Sequence, residues 1–207
     1  MKIVAVSGVA RAGKDTISDG LASVLKDMNP SLNIMRVSFA EDLKLEMSQF
    51  LIENFNLNPF TADGKDKELI RPLLVAYGQA KREQTKGRYW VDKVQGKIRL
   101  QNPDVVIISD LRFAQQDTDE LFWLKEQGGK LIHVSRYKIE NGKKVFTKPV
   151  NIDEKTNDPI LKKNSDFQII WQDSSGDVDL KEKTKSLCEE FYYNNILISL
   201  DNNEYQS

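Results

Sequence analysis

Nine consecutive residues, Gly8-Val9-Ala10-Arg11-Ala12-Gly13-Lys14-Asp15-Thr16, carry the densest chemistry of the chain. The spacing G-x-x-x-x-G-K lets the backbone curl so that successive N–H groups converge. With the positive end of a following helix, they make a cradle for phosphate oxygens. Lys14 adds an ammonium where the β- and γ-phosphates of ATP would lie. The hydroxyl residue that ligates Mg²⁺ in most such loops comes one place late. Asp15 stands in its position, and Thr16 follows, placed for the α-phosphate. Asp15 reads either as a hard oxygen ligand for Mg²⁺ or as a first-turn acid matching the helix dipole.

A second acidic position follows the run Val105-Val106-Ile107-Ile108, which ends in Ser109-Asp110-Leu111-Arg112. At the end of a buried strand beside the loop, Asp110 would orient Mg²⁺ and its waters, or else cap a helix over 113–126. No glutamate follows it to activate a water, which favours transfer over hydrolysis. Arg112 adds a planar, permanently charged fork suited to phosphate. Arg11, Arg82, Arg88 and Arg136 are further candidates, and Lys14, Asp110, Arg112 and Arg136 form the expected catalytic set. The single histidine, His133, sits in an apolar strand and reads as core. The single cysteine, Cys188, reads as a packed thiol, so neither a disulfide framework nor a Cys/His metal cluster can be assembled. Transfer between phosphates needs no such groups, because the attacking oxygen is already anionic and positioning with charge neutralisation suffices.

These residues must be held by elements, and the hydropathy pattern supplies them. Ile3–Val6, 34–37, 105–108, 131–134 and 167–170 read as strands. Helices are expected after the loop (Ile17, Leu21, Val24, Leu25 and Met28 on one face) and over 39–55, 67–83, 88–100, 114–126 and 178–193. A loop is expected over 56–66, and the polar, lysine-rich segment 137–164 reads as a lid. Alternating strands and helices predict a three-layer α/β/α domain over 1–207 with a five-stranded parallel sheet. Ligands then belong beyond the C-terminal strand ends, after Val6, Ile108 and Val134.

Lys plus Arg (30) nearly balances Asp plus Glu (31), so no overall field favours a nucleic-acid polymer or an acidic membrane. No run reaches the ~20 apolar residues of a membrane span, and Met1–Gly8 is too short an apolar run for a signal peptide. A cytoplasmic protein is expected. An Asn-Lys-x-Asp stretch, with which GTPases specify guanine, is absent.

The Gly8–Thr16 loop with its Gly-Lys-Asp-Thr ending resembles that of phage-type deoxynucleoside monophosphate kinases. So do Ala40-Glu41-Asp42-Leu43-Lys44, Arg71-Pro72-Leu73-Leu74-Val75-Ala76-Tyr77-Gly78, Arg82, Tyr89-Trp90-Val91, and the segment from Val105 to Arg136. This resemblance implies a nucleoside-monophosphate-kinase-like fold that binds ATP-Mg²⁺ and a (deoxy)nucleoside monophosphate, with acceptor helices at about 39–94 and a lid at about 137–164. It implies that Lys44, Arg82 and Arg112 face the acceptor phosphate and that Trp90 lies near its base, though Trp90 alone also reads as core. Lysines 138, 143, 144 and 148 stand where related lids carry arginines. A homodimer is left open. Animal-type phosphomevalonate kinases share the Gly-Lys-Asp loop and the Asp-x-Arg strand end, which keeps a non-nucleotide acceptor in view.

Overall fold

The computed structural model describes residues 1–173, 182, 184–186, 188–190 and 192–193. Strand β1 (Lys2–Ser7) leads through the glycine loop into α1 (Lys14–Met28) and β2 (Ile34–Val37). Three helices follow, α2 (Phe39–Phe55), α3 (Gly64–Gln84) and α4 (Arg88–Gln101). Next come β3 (Val105–Ile108), α5 (Glu120–Glu126), β4 (Lys130–Glu140), β5 (Lys143–Phe146), α6 (Ile152–Lys163) and β6 (Phe167–Gln172).

Five strands run parallel in the order β2-β3-β1-β4-β6, and β5 pairs antiparallel with the far end of β4. The expected five-stranded parallel sheet is present, with β5 as an unforeseen sixth strand. Its two faces feed two cores, because successive side chains of a strand point to opposite sides. Val4, Val6, Val105 and Ile107 pack with Ile17, Leu21 and Leu25 of α1 and with Cys188. Ile3, Ala5, Val106 and Ile108 pack with Trp90, Val91 and Val94 of α4, Trp123 of α5 and Leu161 of α6. A smaller core, centred on Met47, Leu51 and Ile70, joins α2 to α3. The result is the three-layer α/β/α arrangement of P-loop proteins.

Three expectations need correction. The helix expected over 114–126 forms only over Glu120–Glu126. Side chains hold the preceding stretch in a loop: Glu120 Oε2 accepts from Arg112 N–H (2.7 Å) and Phe113 N–H (3.1 Å), Asn157 Oδ1 accepts from Ala114 N–H at 2.8 Å, and Asp119 Oδ2 accepts from Gln116 N–H at 2.9 Å. Helix α3 starts at Gly64, inside the loop expected to reach 66. The segment 137–164 is no free flap: it begins with the β4–β5 hairpin, and α6 buries Asn157 and Leu161. Of the helix expected over 178–193, residues 182, 184–186 and 188–190 are helical, and the rest of that expectation is not assessed because 178–181, 183, 187 and 191 lie outside the described residues. No described helix is long and apolar enough to cross a membrane.

Candidate active site

The phosphate loop owes its shape to three residues with positive φ: Gly8 (135°), Arg11 (64°) and Gly13 (97°). At Gly8 a Cβ would stand 2.3 Å from the carbonyl oxygen of Val134, so only glycine fits between β1 and β4. Gly13 caps α1 and lies under the indole of Trp171, 2.9 Å from the position of an added Cβ. Trp171 Nε1–H donates to the Ala12 carbonyl at 2.8 Å, which clamps the loop from β6.

Lys14 is buried beneath the loop, its ammonium donating to the carbonyls of Gly8 (2.8 Å) and Val9 (2.9 Å). Burial, reinforced by the Arg112 charge, brings its pKa down from 10.5 to about 8, while Glu154, Asp15 and Asp110 oppose the shift. The ammonium is costly mainly because it is buried, and a bound triphosphate would supply the counter-charge that burial denies it.

The two candidate metal ligands are differently placed. Asp15 is 87% exposed in its side chain and meets Arg36 at 3.3 Å. Arg36 also bonds Asp19. Asp110 is buried, and it caps a helix, though not the one expected: it receives Phe39 N–H (2.8 Å), Ala40 N–H (2.9 Å) and the Ser38 hydroxyl (2.8 Å) at the start of α2. No group of three or more His, Cys, Asp or Glu side chains able to hold a metal occurs among the described residues. Mg²⁺ at nucleotide sites takes most of its ligands from phosphates and water, with one or two carboxylates. The donor set fits that arrangement.

Beside the loop lies a cleft of about 190 Å³, open to solvent. Lys44, Arg82, Trp90 and Arg112 all line it, and so does Asp110. Apolar walls come from Phe39, Leu43 and Phe113. Arg82 is buried, paired with the fully buried Glu120, and stacked 3.5 Å from the centroid of the Phe113 ring. Its Nη1 is buried with no hydrogen-bond partner, an orphan donor at the cleft. Trp90 packs as core, Nε1–H donating to the Gly78 carbonyl at 3.3 Å, and also lines the cleft. Lys44 reaches over the Phe60 ring.

Other candidates lie elsewhere. Arg136 does not line the cleft: it pairs with Asp173, stacks on Trp171 and donates to the Arg11 carbonyl at 3.2 Å, behind the loop. Arg88 is tied to Asp92 and Gln95 along its own helix. Arg11 and Thr16 are exposed at the loop rim. The lysines of 137–148 line no part of the cleft. His133 is buried beside Asp158, and the Cys188 thiol is pushed up to about 12 by burial; both are core groups.

Sequence reasoning missed Glu120, Glu154 and Trp171. Glu154 accepts the Ala10 amide, 144 residues away, at 3.1 Å. Asn151 three places before it spells a capping box, but nothing local reveals the contact with the loop.

Residues 6–129 match the family model described as phosphomevalonate kinase. No curated protein matches the chain. Among solved structures, dephospho-CoA kinase from Campylobacter jejuni is similar at 15% identity, covering 95% of this chain and 100% of that one with a TM-score of 0.46.

Proposed function

The chain belongs to the phosphomevalonate kinase family and is an ATP-dependent phosphotransferase; we propose that its acceptor is a deoxynucleoside monophosphate, which it converts to the diphosphate. The observation that carries this reading is the cleft itself, where four cations, Lys44, Arg71, Arg82 and Arg112, and an aromatic wall meet beside Asp110. An acceptor with a phosphate at one end and a flat ring at the other matches that division. The orphan Arg82 Nη1 and the exposed fork of Arg112 receive its phosphate, and Phe39, Leu43 and Trp90 flank its base.

Transfer then follows from charge and placement. Loop amides hold the triphosphate, and Lys14 exchanges its two carbonyl partners for β- and γ-oxygens. Arg112 lies between donor and acceptor, neutralising charge as the phosphoryl group passes in line. Arg136 acts from behind, holding the Arg11 carbonyl rather than touching a phosphate. Asp15 and Asp110 would hold Mg²⁺, Asp110 through water because its oxygens already serve α2. That ion would supply screening of the phosphate charge.

The family match favours a second acceptor, phosphomevalonate, whose phosphate would use the same arginines but leave the aromatic wall without a ring to face. One experiment separates the two. The protein is incubated with ATP-Mg²⁺ and either the four deoxynucleoside monophosphates, their ribose counterparts, or phosphomevalonate, and ADP is measured. Turnover with a deoxynucleotide is expected; turnover with phosphomevalonate alone would replace this reading by the second.

A further inference from the structure

One carboxylate at the site takes no part in the reaction described above. Glu154, in the first turn of α6, is 8% exposed. Its Oε2 accepts from Val150 N–H at 3.1 Å, while its own N–H donates to Asn151 Oδ1 at 2.8 Å. Those two bonds satisfy the helix start in the manner of a capping box. They use only one carboxylate oxygen. The other, Oε1, points away from its helix, accepts the Ala10 N–H at 3.1 Å and lies 3.8 Å from Arg112 Nη1. Ala10 is a loop amide and Arg112 a cation of the cleft. A single carboxylate oxygen therefore holds two of the partners that a phosphoryl oxygen would take.

We propose that Glu154 is a resident anion of the phosphate loop, which an arriving triphosphate displaces from Ala10 and Arg112, thereby untying the first turn of α6. The proposal rests on reading residues 8–16 as a triphosphate cradle. Two like charges cannot share one amide in a partly dry site without a large cost, so either the carboxylate yields or binding weakens. Because the carboxylate moves as one rigid group, leaving Ala10 and Arg112 also draws Oε2 from Val150 N–H, and the helix start loosens. Farther along α6, Asn157 holds Ala114 and Leu161 sits in the core, so the release is confined to residues around 150–154. Phosphate arrival is in this way signalled to the hairpin side of the cleft.

Glu154→Gln tests it, since glutamine can also complete a capping box but carries no charge. Calorimetry would compare inorganic tripolyphosphate with adenosine on wild type and variant. The variant is expected to bind tripolyphosphate about tenfold tighter or more, with adenosine unchanged. Equal or weaker tripolyphosphate binding, or an equal gain for adenosine, would overturn the proposal. Hydrogen exchange on wild type adds a measurement free of any folding defect: amides 150–154 should lose protection when tripolyphosphate binds, and unchanged protection there would also overturn it. If wild-type protein binds neither tripolyphosphate nor ATP, the cradle reading itself fails, an outcome distinct from bound ligand with an indifferent Glu154.

Discussion

The phosphate loop and the cleft beside it meet at Asp110, whose charge acts on Lys14 and whose side chain lines the cleft, yet they are made of opposite materials. The loop is backbone. Its shape comes from positive φ at Gly8, Arg11 and Gly13, and its one buried cation is a lysine with two carbonyl partners. The cleft is side chain. Its cations are carried on α2, α3 and the segment after β3, and Arg82 is held by Glu120 from α5. Backbone amides bind any phosphate alike, whereas a wall of side chains can be altered one residue at a time without disturbing the donor site. On the function proposed above, chemistry common to many kinases sits in the first region and acceptor choice in the second.

The largest effect that could break this division is at Lys14. Lys14→Ala should lower kcat/KM roughly a thousandfold while far-UV circular dichroism stays unchanged, since the ammonium stabilises charge during transfer rather than the fold. A loss under tenfold would mean the loop works without its cation. Next is Arg82→Ala, which leaves Glu120 buried with only the amides of Arg112 and Phe113. It should cost about 3–5 kcal/mol in denaturant unfolding, as stranded buried charges do, and raise the acceptor KM more than that of ATP.

A pH series sharpens the comparison further. With Lys14 titrating near 8 in the folded protein against 10.5 in the unfolded chain, the folded state sheds this proton first. Between those values the unfolded chain holds more protons, so rising pH favours folding as far as this group is concerned. The same deprotonation weakens phosphate binding. The Kd for ATP should therefore rise by up to about tenfold per unit above pH 8. The acceptor KM, governed by the cleft side chains rather than by Lys14, should rise far less; a parallel rise would show that the two regions are not separate. The smallest effect is Trp171→Phe, which removes the bond to Ala12. About 1 kcal/mol is expected, seen as a several-fold increase in ATP KM with no change for the acceptor.

Much of the frame was legible beforehand. Runs such as Val105–Ile108 are buried on both faces and have no alternative to a central strand. Period-four apolar residues in α1 and α2 marked helices whose bounds agree closely. The misreadings share one cause, long-range partners. Residues 114–119 read as helical, but Glu120, Asn157 and Asp119, each reaching back to an amide of 113, 114 or 116, hold them as a loop. The polar segment 137–164 reads as a lid until Leu161 is seen packed beneath the sheet.

On its own, the amino-acid sequence determined the phosphate cradle. Recognition by backbone amides needs only contiguous residues and permissive glycines, and a short local pattern records both. Which cations remain available to a ligand was decided by tertiary structure alone. Arg82, Arg88, Arg112 and Arg136 look alike in the chain, but their carboxylate partners differ in origin. A buried charge must find its counter-charge wherever the fold puts one. Only folding shows that Arg88 is spent on its own helix and Arg136 on the back of the loop, leaving Arg82 and Arg112 to face the cleft.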